Sequence, residues 1–403
     1  MISELYYPEE TSTGHVLTKL AEGLADRYSV HALCSQPTYS SRGTRAPARE
    51  TRNGVTIERV WGLTLNKDVL WQRLLNASTI STSIFMRALT RLERGDVVLV
   101  VTTPPLLPIV TVAACKIRGA SCVLIVHDVY PDVLIAAGMA RSDAWGVRLL
   151  RALTRWLYRT VDRVVVLGRD METVVARKLG SDQAGKIAVI PNWGDVDVVR
   201  PAPKRSSPMA QKLDLSSRFV VQYAGNMGRT HGMEDVMEAA RRLRSENVHW
   251  MVLGSGAKRP WVEAYVVREG LRNVTVDGIR SREDQQDFLN ACDVSIISFT
   301  PGMAGVSVPS RMYNSMAAGK PIIAVADADS ELARVVTEER IGVVVPPGHI
   351  DELIATIQQM RADPAGLEEM GTRARAAVMA KYTLSHAIST YARLIGSLLD
   401  QPS

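Results

Sequence analysis

Short apolar strands alternate with longer helical segments along the chain, and the alternation starts twice. In the first half, runs rich in Val and Ile read as strands at 55–60, 97–101, 122–126, 163–167 and 187–190. They are almost continuously apolar, as parallel strands buried on both faces must be. Helical patterns fill the intervals at 14–27, 68–93, 106–118, 143–161 and 170–179. Pro191-Asn-Trp-Gly and then Pro201-Ala-Pro-Lys-Arg-Ser-Ser-Pro208 read as a linker. Strands resume at 219–223, 248–253, 274–276, 294–298, 321–325 and 343–345. Two βαβ series predict an α/β chain of two doubly wound, Rossmann-like domains facing across a cleft, residues 1–195 and 196–383. A length of 403 residues fits, because one core rarely serves so many. An amphipathic last helix, 384–399, needs a partner surface.

Charge is uneven between the halves. Residues 1–195 hold 24 Lys and Arg against 18 Asp and Glu, whereas the rest hold 24 of each. The net +6 therefore belongs to the first half. It suits an anionic partner there, or a solvated arginine-rich surface. Nucleic acid is not expected, because the second half is neutral. Within 141–163, Arg148, Arg151, Arg155 and Arg159 recur at helical spacing with Trp145 and Trp156 between them. That is either a basic helix for an anionic membrane surface or a surface helix with its Leu/Trp stripe packed on the sheet. The uncharged stretch 97–115 contains Pro104, Pro105 and Pro108, so it reads as strand, turn and helix, not as a membrane span. No signal peptide is expected at the start. Cys34, Cys115, Cys122 and Cys292 show no metal or disulfide spacing and read as buried thiols in a reducing compartment.

Open α/β sheets bind ligands beyond the carboxyl ends of their strands, so the residues there carry the functional reading. After the strand at 219, Gly225, Gly228 and Arg229 form a glycine-rich turn that suits a phosphate, or simply a tight turn. After the strand at 294, Gly302 and Gly305 precede Ser310 and Arg311, where Ser310 reads as a helix N-cap. Asn314 follows one turn later. His127 and Asp128 close the strand at 122 and could orient or deprotonate an acceptor hydroxyl, or act as a structural hydrogen bonder and a cap. Thr11-Ser-Thr-Gly14 links the first strand to the first helix, as a ligand loop or a plain cap turn.

In combination and in order, several segments resemble the retaining glycosyltransferases of family 4, of GT-B fold, and within them the fucosamine-transferase-like branch. They are Thr102-Thr-Pro-Pro-Leu-Leu107, His127-Asp-Val-Tyr-Pro-Asp132, Ile190-Pro-Asn-Trp193, Tyr223-Ala-Gly-Asn-Met-Gly-Arg229 and Val308-Pro-Ser-Arg-Met-Tyr313 with Met316-Ala-Ala-Gly-Lys-Pro321. The resemblance implies retaining sugar transfer from a nucleotide-sugar, usually a UDP-sugar, to a lipid-linked or small polar acceptor. No metal and no cofactor are expected. The second domain would hold the donor, the first the acceptor, and the last helix would cross back to the first. Gly225, Asn226, Gly228, Arg229, Ser310 and Arg311 would meet the diphosphate. Gly278, Ile279 and Arg280 would lie at the base, Asn314 at the ribose or sugar. His127 and Asp128 would sit against donor sugar and acceptor. A cytoplasmic enzyme, peripheral on the inner face of the plasma membrane, is the expectation.

Three places depart from the family pattern. Asn226 and His231 stand where many members carry Arg and Lys. Val306 and Asn314 stand where the family has E-x7-E, and an amide cannot carry charge. The first strand is short, only 2–6 before Pro8, as a start codon assigned too late would make it. Asp327-Ala-Asp329 lies outside the matched motifs. Two other readings remain at this point: a GT-B nucleotide-sugar 2-epimerase, and a non-catalytic partner in glycan assembly.

Overall fold

The computed structural model describes residues 1–37, 45–65 and 69–400. The chain divides into two compact units. Unit 1 comprises Met1–Pro131, Ser142–Pro191 and the C-terminal segment from Leu384; unit 2 comprises Asp132–Arg141 and Asn192–Thr383.

Unit 1 contains the strands β1 (Val30–Ser35), β2 (Arg49–Arg52), β3 (Val55–Val60), β4 (Val97–Val101), β5 (Ser121–Val126), β6 (Arg163–Val166) and β7 (Ile187–Val189). Strands β4 to β7 form a parallel ladder in chain order, and β1 pairs with β3, which pairs antiparallel with β2. One residue joins the two ladders. Ile2 makes a parallel bridge to Leu33 of β1 and another to Val100 of β4. The first strand expected at 2–6 is thus reduced to a single bridging residue, and Ser3 already turns its hydroxyl to the Leu5 carbonyl (2.8 Å). The sheet carries α1 (Ser12–Leu24), α2 (Leu70–Arg91), α3 (Leu107–Arg118), α5 (Trp145–Thr160), α6 (Arg169–Leu179) and α15 (Leu384–Leu399); the short α4 (Asp132–Ala136) belongs to unit 2. The expected first residue of α2, Asp68, lies outside the described residues. Helices α2, α3, α5 and α6 pack side by side in that order, while α1 packs on α15. Gly23 makes that second contact possible: a Cβ there would come 2.0 Å from Ile388 Cδ1 of α15. Tyr28 then donates its hydroxyl proton to the Ala392 carbonyl (3.1 Å).

Unit 2 contains β8 (Phe219–Ala224), β9 (Val248–Leu253), β10 (Val274–Asp277), β11 (Val294–Ser298), β12 (Ile322–Val325) and β13 (Gly342–Val345). All are parallel, in the spatial order β10-β9-β8-β11-β12-β13. Its helices are α7 (Pro208–Lys212), α8 (Met233–Arg242), α9 (Arg259–Glu269), α10 (Gln285–Asn290), α11 (Arg311–Ala317), α12 (Glu331–Glu338), α13 (Ile350–Ala362) and α14 (Pro364–Lys381). β9 is buried along its whole length, and Trp250 and Val252 join Tyr223, Val236 and Ile296 in one core. The segment read as a linker is folded onto this unit. Ser207 caps α7 and donates to Asp287 (2.5 Å), and Lys204 pairs with Asp293 (2.5 Å). The Arg375 guanidinium donates to the carbonyls of Val196, Val199 and Ala317, which ties residues 196–199 to α11 and α14.

All four cysteines are buried and free. Among the described residues no helix is long and apolar enough to cross a membrane.

Candidate functional site

Sheet order fixes where a ligand can sit in unit 2. From β8 the chain steps to β9 and β10 on one side, then crosses to β11 on the other. The β8/β11 gap is therefore a topological switch point, where the turns diverge and leave a crevice. Four neighbouring strand ends carry the turns around it: 225–232 after β8, 254–258 after β9, 278–280 after β10 and 299–310 after β11.

The first two turns are laid on each other, backbone to backbone. Gly225 donates its N–H to the Leu253 carbonyl (2.9 Å), Met227 to that of Ser255 (2.7 Å), and Lys258 to that of Met227 (2.8 Å). Such closeness requires glycine. Gly254 has φ +134°, and a Cβ there would lie 2.0 Å from the Gly225 carbonyl oxygen. A Cβ on Gly256 would meet Asn226 Oδ1 at 2.5 Å. Asn226 thus lies folded across the turn, with its Nδ2 on the other side against Gly228. The turn after β11 is fastened by Thr300, whose N–H donates to the Thr230 carbonyl (2.9 Å). Asp327 pins the rest of that loop by accepting the N–H groups of Met303 (2.8 Å) and Ala304 (3.1 Å).

Arg311 stands in the middle of this cradle. Its guanidinium carbon is 4.6 Å over the Tyr223 ring centroid, and its Nη1 lies 3.0 Å from where a Gly225 Cβ would be. That Nη1 is buried and has no hydrogen-bond partner in the protein. A buried donor of this kind costs free energy unless something accepts from it. Beside it, His231 has an equally buried and unpartnered Nδ1, with its ring 5.2 Å from that of Phe299. Burial, and then the Arg311 charge, hold the imidazole well below its ordinary pKa, so it is neutral.

The other expected donor residues fare differently. Arg229 is exposed in the same turn. Ser310 sits at the start of α11 but makes no side-chain cap; its backbone is already helical at φ −59°, ψ −25°, so its hydroxyl is not aimed at the free N–H groups. Asn314 Oδ1 accepts the Asp195 N–H (2.9 Å), which gives that oxygen a structural duty in unit 2. Gly278 donates its N–H to Asp277 (2.6 Å), and Arg280 pairs with the same carboxylate, while Ile279 is exposed. The Gly278 N–H, and then Arg280, hold the Asp277 carboxyl below its usual range. Sequence reading missed the turn 254–258. Its signal was present: Gly254-Ser-Gly256-Ala-Lys258 follows a buried strand just as Gly225 does. Lys258 donates to the His231 carbonyl (2.8 Å) and pairs with Glu234 (2.7 Å).

In unit 1 the switch point falls between Ile2 and β4. His127 follows β5, next to β4, and donates its N–H to Thr102 Oγ1 at the end of β4 (3.3 Å). Its Nε2 is buried without a partner. Burial pushes the imidazole down to about 4 and the neighbouring Asp128 carboxyl up to about 6. Neither group is stabilised in its charged form. Gly14 is accounted for by packing: Thr11 Oγ1 accepts its N–H (3.2 Å), and a Cβ would fall 2.7 Å from the Glu9 carbonyl. Glu4 and Glu9 are buried in the same loop, two carboxylates that the pattern of the sequence did not single out.

Known proteins share the family and the fold. Residues 13–193 fit the family model for the glycosyl transferase 4-like domain, and residues 218–363 that for glycosyl transferases group 1. The chain is 32% identical over 337 residues to the probable glycosyltransferase WbjE of Pseudomonas aeruginosa, covering 83% of each protein. It is 27% identical over 367 residues to the putative colanic acid biosynthesis glycosyl transferase WcaI of Escherichia coli K12, covering 88% of this chain and 89% of that one. Among solved structures, sucrose-phosphate synthase of Thermosynechococcus elongatus superposes with a TM-score of 0.79 at 19% identity, over 98% of this chain and 96% of that one. HepE of Anabaena, in complex with UDP-glucose, gives 0.74 at 16% over 98% of both. The chain belongs to the family 4 glycosyltransferases of GT-B fold.

Proposed function

We propose that this glycosyltransferase takes a sugar from a UDP-sugar bound by unit 2 and transfers it, with retention of anomeric configuration, to a lipid-linked or small polar acceptor held by unit 1. One observation carries the donor half. Arg311 presents a buried, unpartnered guanidinium N–H at the β8/β11 switch point, beside a glycine turn that lets a ligand approach the backbone. A diphosphate satisfies that N–H and takes the charge. The UDP complexes of HepE, a protein of the same fold, support the choice of nucleotide. Arg311, with Arg229 at the rim, meets the charge that develops on the leaving diphosphate, and no metal is called for.

In unit 1, neutral His127 can donate or accept one hydrogen bond to a sugar hydroxyl. Asp128, with its carboxyl raised to about 6, is suited to orient or deprotonate the acceptor hydroxyl near neutral pH. A lipid-linked acceptor would place the enzyme on the inner face of the plasma membrane. A thermal-shift panel of nucleotides tests the donor, and NMR of the product anomer tests retention. Stabilisation by GDP or ADP but not by UDP would overturn the donor assignment. Activity abolished by EDTA and restored by Mg²⁺ or Mn²⁺ would overturn metal independence. Productive consumption of the donor without any acceptor would replace transfer by epimerisation.

A further inference from the structure

Helix α5 is apolar on two nearly opposite sides. At about 100° per residue, its buried positions Val147, Thr154, Leu157 and Tyr158 share one side. Trp145, Leu149, Leu153 and Trp156 share another, centred about 145° away. That second stripe faces solvent: Trp145 is 80% exposed, Leu149 52%, Leu153 37% and Trp156 45%. The tryptophans are therefore not packed on the sheet, because the first stripe already occupies that side. Arg148, Arg151, Arg155 and Arg159 run between the two stripes, and no acidic residue lies anywhere in the helix. Arg151 is held by the Ser142 carbonyl (3.0 Å) and Arg159 by that of Leu179 (3.1 Å). Both stay exposed, as do Arg148 and Arg155.

We infer that α5 is a docking helix for an anionic lipid bilayer, with Trp145, Leu149, Leu153 and Trp156 entering the headgroup boundary and the arginine row on lipid phosphates. Charge decides the occupant. A second copy packed symmetrically through this stripe would set one arginine row against another, with no acid to answer it. Anionic headgroups answer all four, and Trp is suited to that interface. The position of the helix agrees. α2, α3 and α5 each leave the carboxyl end of a parallel strand, so their N-termini lie at the edge that carries His127. There α2 adds exposed Trp71 and Leu74, and exposed Leu106 precedes α3. Behind α5, a crevice of about 20 Å³ is lined by Leu150 and Leu153 on one side and by Thr102 and Tyr130 on the other. Docking through α5 thus brings the strand ends of unit 1 to the membrane surface. This surface is independent of the donor assignment, and its test needs no sugar transfer.

The full-length protein is floated with phosphatidylcholine vesicles, with and without phosphatidylglycerol, at low and at high salt. The expected result is flotation with the anionic vesicles at low salt, at least tenfold above that with pure phosphatidylcholine, and its loss at high salt. Trp145→Ser with Trp156→Ser, and separately Arg148→Glu with Arg155→Glu, should each reduce flotation at least tenfold. All four side chains are exposed, so urea midpoints should match the wild type and show that the variants fold. Wild-type protein left in the soluble fraction at low salt overturns the inference, and so does undiminished flotation of both double variants. A dimer in sedimentation without vesicles, lost in the tryptophan variant, assigns the stripe to a second copy instead and also overturns it.

Discussion

Replacing Arg311 with Met separates ligand binding from folding. Without ligand, the guanidinium gains a cation–π contact with Tyr223 at 4.6 Å, of about 0.5–2 kcal/mol. Against this, its buried Nη1 is unsatisfied, a cost of about 1–3 kcal/mol. The two nearly cancel, and Met keeps much of the side-chain volume. The stability of Arg311→Met should therefore stay within about 1 kcal/mol of the wild type. With UDP bound, the balance changes, because the same N–H meets a charged acceptor. A hydrogen bond to a charged group contributes about 1.5–3 kcal/mol. The dissociation constant for UDP should rise about 10- to 150-fold. Calorimetric titration of UDP measures the second quantity and urea unfolding the first. Arg229→Met is the control: an exposed cation contributes about 0–1 kcal/mol, so affinity should fall less than about fivefold. Unchanged UDP affinity in Arg311→Met would refute the assignment. So would a large loss of stability with affinity intact, which would make Arg311 a core residue.

Other outcomes follow from the same geometry. Gly254→Ala should cost at least about 2 kcal/mol in urea unfolding and weaken UDP binding, since its Cβ would collide with the Gly225 carbonyl and displace the phosphate turn. Asn314→Ala should cost about 1–2 kcal/mol by orphaning the Asp195 N–H, and Asn314→Asp, which keeps an acceptor, should restore most of it. Asp128→Asn should lower kcat about 100-fold or more and leave UDP affinity unchanged, because the residues proposed to hold the donor lie in unit 2. The same variant should change the pH dependence of stability. The folded His127 is held at about 4 against an ordinary 6.5, so its contribution is lost as pH falls through that window. The folded Asp128 is held at about 6 against 3.8, so its contribution is lost as pH rises. In the wild type these slopes oppose each other between about pH 4 and 6, whereas in Asp128→Asn stability should rise with pH there. Urea midpoints that change in parallel for both proteins would contradict this.

Most strands of both units were legible as nearly continuous apolar runs, which need no periodicity to be seen. β1 (Val30–Ser35) was not, because His31 is exposed and its buried positions follow no regular alternation. β11 and α15 were read to the residue. The rest of what escaped was short or polar. β2 is Arg-Glu-Thr-Arg, exposed at alternate residues, and it is held by pairing with β3 and by Arg52 on Glu22 and the Tyr7 ring. The Ile2 bridge is a single residue whose partners, Leu33 and Val100, are remote in sequence. The 201–208 run has the composition of a linker, but Ser207, Lys204 and Arg375 find partners that only the folded unit supplies. Periodicity marked α5 as amphipathic and could not say which of its apolar stripes was buried.

At the site, residue types were legible and pairing was not. The strand ends of unit 2 carry five cations, Arg229, Lys258, Arg259, Arg280 and Arg311, of which the sequence reading gave Arg229 and Arg311 to the diphosphate and Arg280 to the base. The fold removes most of them. Lys258 is paired with Glu234, Arg259 with Glu263 and Arg280 with Asp277. Arg229 remains at the surface, where solvent screens it. Arg280 also keeps a buried Nε without a partner, but Asp277 answers its charge; Arg311 alone of these five combines a buried, unsatisfied donor with a charge that no carboxylate answers among the described residues. The replacement of the family Lys by His231 has a place in this picture. A lysine there would set a second charge beside Arg311 in a buried cradle, where like charges repel strongly before the ligand arrives. A neutral imidazole, kept so by burial and by Arg311 itself, offers a hydrogen-bonding nitrogen without that repulsion. On the proposed donor assignment, anion binding in this chain would depend on one buried guanidinium and on backbone N–H groups, not on the pair of cations that the family resemblance implies.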